Sequence, residues 1–124
     1  VDATTGNRAV INLTTGGEDA ETVTLAFLTG VGALAGGRQV TTFLTREAVR
    51  LAQAGNAETI EWAGGPPMSK LFEQYREGGG KLFACTICFN ARELDEGSLV
   101  ENAELAGTTP LWEWIGAGAT VFSY

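Results

Sequence analysis

Short apolar runs alternate along the chain with longer segments of helical period. This pattern predicts strands and helices in turn, and hence a parallel sheet covered by helices. The first run, Arg8 to Thr14, carries Ala9, Val10, Ile11 and Leu13 and reads as a strand. Thr14-Thr15-Gly16-Gly17-Glu18-Asp19 then turns the chain, with acids where a helix start favours negative charge. A helix over about Ala20 to Ala35 follows, apolar nearly all round through Val23, Leu25, Phe27, Leu28, Val31 and Leu34, and Gly36-Gly37 stops it. Such a helix needs cover on two sides. The sheet supplies one, and a neighbouring subunit is expected to supply the other, since leaving Phe27 or Leu28 in water would forgo ~1.5–3 kcal/mol per side chain.

Beyond that helix, Gln39 to Thr45 reads as a second strand, Arg46 to Ala54 as a short helix ended by Gly55, and Thr59 to Trp62 as a short third strand. Gly64-Gly65-Pro66-Pro67 is a loop, because proline removes donors and glycine frees the backbone. Ser69 to Glu77 is amphipathic, with Leu71, Phe72 and Tyr75 on one side, and Gly78-Gly79-Gly80 ends it. Lys81 to Cys85 is predicted as a fourth strand, with a helix opening beyond Cys85. A last helix starts at Thr109 or Pro110 and carries Trp112, Trp114 and Ile115, and Ala119 to Tyr124 closes the chain as a fifth strand. No repeat or linker interrupts this order, and a chain of 124 residues suits one domain over residues 1–124.

Composition removes most hydrolytic and metal chemistry. The chain has no His, so no Ser-His-Asp triad, Cys-His pair or histidine metal ligand exists within it. Its 2 Cys cannot close a tetrahedral zinc site, and no twelve-residue loop has calcium-ligand spacing. No metal or cofactor is therefore expected. Charge is lopsided. From Glu93 to Tyr124 there are 6 acids (Glu93, Asp95, Glu96, Glu101, Glu104, Glu113) and no Lys or Arg, while the 9 acids and 8 bases of residues 1 to 92 nearly cancel. Nucleic acid and anionic membranes are poor partners for such a chain. A basic protein surface is a better one, and a merely solvated acidic face is the plain alternative. Thr22 to Gly37, the longest uncharged apolar stretch, falls short of the ~20 residues a spanning helix needs. Val1 to Arg8 carries no apolar signal core, so the chain reads as cytoplasmic, although without an initial Met a removed leader stays open.

The candidate chemistry lies in Cys85-Thr86-Ile87-Cys88-Phe89-Asn90-Ala91-Arg92, where a strand ends and a helix begins. Ligands of open parallel sheets bind outside the carboxyl ends of strands, and the orphan amides of a helix start favour a thiolate over a thiol. With a helix from Thr86, Cys85, Cys88 and Arg92 fall along one stripe at spacings of three and four. Arg92 then adds positive charge near the second sulfur, and Cys88 acts as a resolving thiol or pairs with Cys85. Plain readings stand beside these: Cys85 as a structural cysteine, and Arg92 pairing with Glu96 one turn on. Thr14 to Gly17 has the look of a phosphate loop, but Glu18 and Asp19 occupy the place of the phosphate. Trp112 and Trp114, two apart, do not share a helical face and suit core or subunit packing.

Gly65-Pro66-Pro67-Met68-Ser69-Lys70-Leu71-Phe72, Gly78-Gly79-Gly80-Lys81-Leu82-Phe83-Ala84-Cys85-Thr86-Ile87-Cys88, Ala91-Arg92-Glu93-Leu94 and Leu111-Trp112-Glu113-Trp114-Ile115 together resemble the DsrE/DsrF-like family of small sulfur-metabolism proteins. The resemblance covers nearly the whole chain, most specifically Gly64 to Tyr124. It implies a DsrEFH-like, three-layer α/β/α domain with a five-stranded parallel sheet, assembled as a trimer or hexamer. It also implies that a cysteine at the position of Cys85 carries sulfur as a persulfide in those members that act as relays. Two departures are visible: the relays' single cysteine becomes Cys85 and Cys88, and the Gly that commonly follows the motif's Arg is Glu93.

The expectation is thus a sulfur carrier of sulfurtransferase type that needs no cofactor, takes sulfane sulfur on Cys85 from a donor protein and passes it to an acceptor. A thiol-disulfide or peroxide-linked redox protein using Cys85 and Cys88 is the alternative from another class. A non-catalytic oligomeric interaction module is the third.

Overall fold

The structure, a computed structural model, describes residues 7–124. The reading of Val1 to Arg8 as lacking a leader core bears chiefly on residues 1–6, which lie outside the described residues. Among the described residues five strands form one all-parallel sheet: β1 (Arg8–Leu13), β2 (Gln39–Leu44), β3 (Lys81–Ala84), β4 (Ala103–Leu105) and β5 (Thr120–Ser123). Their order is β4-β3-β2-β1-β5. The helices are α1 (Ala20–Ala35), α2 (Met68–Glu77), α3 (Thr86–Ala91) and α4 (Thr108–Ile115), with a 3-10 helix at Arg46–Ala52.

Topology decides which face each helix covers. β1 to β4 are laid side by side in one direction, and a right-handed crossover at each step puts α1, α2 and α3 on one face. The last connection runs back past β1 to the far edge, so the same handedness puts α4 on the other face. Side-chain alternation agrees. Ile11, Leu13, Val40, Leu44 and Leu82 bury with Val23, Phe27, Leu71 and Tyr75 of α1 and α2, whereas Val10, Phe43 and Phe83 bury against Leu111, Trp114 and Ile115 of α4. The result is the expected three-layer α/β/α fold with a five-stranded parallel sheet.

The α1–α2 face holds most of the core. Asp19 caps α1, accepting from the Thr22 amide at 3.2 Å and its hydroxyl at 2.7 Å, bonds that hold its carboxyl below the usual range. Phe27 meets Phe72 and Tyr75 edge-on, with centroids 5.6 and 5.2 Å away. Tyr75 is fully buried and donates its hydroxyl proton to the Lys81 carbonyl at 2.6 Å, which leaves Thr42 as the donor in their 2.8 Å contact. Burial pushes the phenol well above its usual range. A side chain at Gly30 or Gly80 would meet the Tyr75 ring at 2.9 or 2.5 Å, so glycine at both positions admits the ring.

Helices α1 and α2 end alike. Gly37 and Gly79 adopt left-handed φ of 87° and 90°, and the paired bonds Gly37 N–H to Leu34 O, Arg38 N–H to Ala33 O, Gly79 N–H to Arg76 O and Gly80 N–H to Tyr75 O complete two Schellman closures.

Two expectations of the fold need correction. Thr59 to Trp62 is not a strand. Ala57–Thr59 forms a 3-10 turn, the Ile60 amide donates back to the Ala57 carbonyl at 3.2 Å, and the Ile60 side chain plugs the core. The expected last strand is β5, and the place of Thr59 to Trp62 among the five strands is taken by β4, three residues paired in parallel to β3 that the sequence reading did not pick out. Its apolar signal is too short to stand out in the sequence. Nor does Phe27 need a neighbouring subunit: α2 already covers it and leaves it 1% exposed, while Leu28 keeps 37% of its surface in water.

Candidate functional site

Cys85 stands where β3 becomes α3. Its amide donates to the Leu44 carbonyl at 2.9 Å, extending the sheet ladder, and its carbonyl accepts the Phe89 amide at 2.9 Å, opening the helix. It is thus the N-cap of α3, with extended backbone (φ −56°, ψ 119°), and its side chain makes no capping hydrogen bond. The chain leaves β3 toward the α1–α2 face and leaves β4 toward the α4 face. The crevice between the carboxyl ends of these two adjacent strands is therefore the topological switch point of the sheet. Cys85 occupies it: the side chain is partly exposed and packs against the hydrophobic clusters of both faces.

The three residues singled out in the sequence all fall on this one short helix. Cys88 lies one turn after Cys85, partly exposed, and both thiols are free. Between them Ile87 projects into water, 80% exposed. Arg92, the C-cap, does not pair with Glu96. Its Nε donates to Glu47 at 2.6 Å and its Nη1 donates to the Cys88 carbonyl at 3.1 Å, so its charge is directed to a carboxylate and a backbone oxygen.

Glu47 is the residue that sequence reasoning missed. It follows β2 in the 3-10 helix and also accepts from Arg50 at 2.8 Å. Arg92 first and Arg50 second hold its carboxyl below the usual carboxylate range. The Glu47–Arg50 spacing of three was visible in the chain, but the link to Arg92 joins positions 45 residues apart and left no local signal.

Backbone strain borders the Glu47–Arg92 pair on both sides: Arg46 has φ 54° and Glu93 φ 53°, among the described residues the non-glycine positions in left-handed space. Glu93 N–H to Asn90 O (3.0 Å) and Leu94 N–H to Phe89 O (3.4 Å) form a third Schellman closure, with Glu93 where α1 and α2 have glycine. The absence of the Gly expected after Arg92 is therefore a matter of backbone geometry. Across the site, the Gly16 amide donates to the Glu18 carboxylate at 2.9 Å, so the loop after β1 fills its own anion position. Among the described residues no three His, Cys, Asp or Glu gather as metal ligands, and no helix is long and apolar enough to cross a membrane.

An open parallel α/β sheet with a cysteine at its switch point defines the class. The chain belongs to the DsrE/DsrF-like family, whose model matches residues 8–124. An uncharacterized protein of Methanopyrus kandleri, MK0008, is 34% identical over 84 residues, covering 67% of this chain and 65% of that protein. This chain thus spans somewhat less than two thirds of that relative's length. Among solved structures, the ychN protein of E. coli superposes with a TM-score of 0.76 at 15% identity, covering 95% of this chain and 99% of that one. MTH1491 of Methanobacterium thermoautotrophicum, a protein of unknown function, gives 0.60 at 18% identity over 94% and 98%. At these identities the structures establish a shared DsrEFH-like fold.

Proposed function

We propose that this protein is a single-domain sulfur carrier in which Cys85 accepts sulfane sulfur and hands it on as a persulfide. The observation that carries this reading is the position of Cys85 at the switch point, open to solvent and touching both faces of the sheet. Membership of a sulfur-relay-type family supports it.

The Cys85 thiolate attacks the outer sulfur of a donor persulfide. The new S–S bond forms as the donor's breaks, and the donor leaves as a thiolate with the electron pair. An acceptor thiolate then attacks the outer sulfur of the Cys85 persulfide and releases Cys85 as thiolate. No oxidant or cofactor enters. The free Cys88 on the next turn offers a second exit: its thiolate attacks Cys85 Sγ, forms a Cys85–Cys88 disulfide and expels hydrosulfide. Arg92 positions α3 through Glu47 and the Cys88 carbonyl, and Ile87 gives a partner protein an apolar contact beside the thiols. A cytoplasmic homo-oligomer, trimer or hexamer, fits the half-exposed Leu28, Val121 and Phe122.

Intact mass after incubation with a persulfide donor tests the reading. Cys88→Ser, with the second exit closed, gains one sulfur atom and Cys85→Ser gains none; the wild type gains one or, once Cys88 resolves the persulfide, ends two hydrogens lighter with hydrosulfide released. A Cys88→Ser chain that takes no sulfur, beside a wild type that reversibly loses two hydrogens, is the redox protein instead. A wild type that does neither is an interaction module.

A further inference from the structure

We propose that the opposite edge of the sheet carries a second site, which binds a small multivalent oxyanion of the phosphate class. Arg8, Gln39 and Lys81 open β1, β2 and β3, so parallel strands gather them at the amino-terminal edge, ~13 Å along β3 from Cys85. There, among the described residues, Arg8, Arg38, Lys81 and Trp114 line a cavity of about 420 Å3 without a carboxylate.

The charge distribution is what sets this cavity apart. The chain has 15 acids and 8 bases, and Arg50, Arg76 and Arg92 lie within ion-pair distance of carboxylates. Among the described residues the bases outside such pairs are Arg8, Arg38, Arg46, Lys70 and Lys81, and three of these five converge on this one cavity. Gathering like charges while acids are in excess costs energy that a bound anion recovers.

Two features fit an oxyanion in particular. Arg8 is held in place: its Nε donates to Gln39 at 3.1 Å, its Nη1 donates to the Trp114 carbonyl, and its guanidinium lies 5.2 Å from the centre of the Trp114 ring. Among the described residues no partner engages the Nη2 donors, which that arrangement holds in a fixed plane, the geometry that matches phosphate oxygens. The second feature concerns the ends of α1 and α2 beside the cavity. Their Schellman closures satisfy the carbonyls of Ala33, Leu34, Tyr75 and Arg76 with backbone amides, so among the described residues neither the Arg38 nor the Lys81 side chain is engaged as a capping donor. The volume exceeds what one phosphate fills and, with three cations, suits two linked phosphoryl groups.

Calorimetric titration of the full chain with inorganic pyrophosphate, at fixed ionic strength, tests the site. One saturable event is expected, tighter than for orthophosphate or sulfate. Lys81→Gln and Arg38→Gln, both at exposed positions, each weaken it about tenfold. Lys70→Gln, away from the cavity, and Cys85→Ser leave it unchanged, which separates this site from sulfur transfer. Absence of saturable binding, equal affinity for all three anions, or an equal loss in Lys70→Gln overturns the proposal.

Discussion

The two faces of the sheet are built to different standards. On the α1–α2 face the strands present Ile11, Leu13, Val40, Leu44 and Leu82 to two helices that bury Phe27, Phe72 and Tyr75 between them. On the other face α4 covers Val10, Phe43 and Phe83, α4 buries none of its own residues completely, and Val121 of β5, beside Val10, is 55% exposed. One face carries the larger, doubly covered core, and the other a smaller one under a single helix. The two meet at the carboxyl end of β3, so the thiol of Cys85 stands on a rigid floor beneath an open roof, as a group that must be fixed yet reachable requires.

Truncations on the two faces give the largest test of this contrast. Phe27→Ala is expected to destabilise by about 3–5 kcal/mol in denaturant unfolding. Val121→Ala, beside Val10 on the α4 face and 55% exposed, should cost about 1 kcal/mol or less. Comparable losses would mean that the α4 face is as well packed as the other. Tyr75→Phe comes next. It removes the acceptor of Thr42 and the donor to Lys81 O inside the dense face and should cost about 1–3 kcal/mol.

At the site itself the strain is relieved by substitution. Glu93→Gly replaces a left-handed non-glycine residue with the one that tolerates φ 53° and should raise stability by about 0.5–1 kcal/mol. The same change at an exposed α2 position such as Glu77 should lower it. The smallest effect is one of pH. Because Arg92 and Arg50 lower the Glu47 carboxyl below its unfolded value, the link between the 3-10 helix and α3 is complete above the ordinary carboxylate range. It fades as pH falls through the lowered value. After correction for the intrinsic pH dependence of amide exchange, protection of the α3 amides should fall on acidification in the wild type and stay constant in Glu47→Gln.

The same contrast governs how much could be read from the chain. Helix α1 was legible to its terminal residues because a strand, an acidic start and a double glycine frame it. Cys85, Cys88 and Arg92 were legible as a group because one short helix carries them. Where long-range contacts decide, local pattern fails. Ala103–Leu105 is a strand only because β3 lies beside it, and Ile60 is apolar because it plugs the core. Phe27 invited a subunit partner because nothing in its own helix announces that α2 folds over it. Glu47 became visible only when folding brought Arg92 to it.

The most direct test of the central claim is the order in which the two thiols are labelled. The native chain is treated with less than one equivalent of an alkylating reagent, its peptides are mapped, and the labelled fraction is offered a persulfide donor. The account predicts that Cys85 is alkylated before Cys88 and that the chain so labelled takes up no sulfur. Preferential labelling of Cys88, or sulfur uptake by a chain whose Cys85 is blocked, would contradict it.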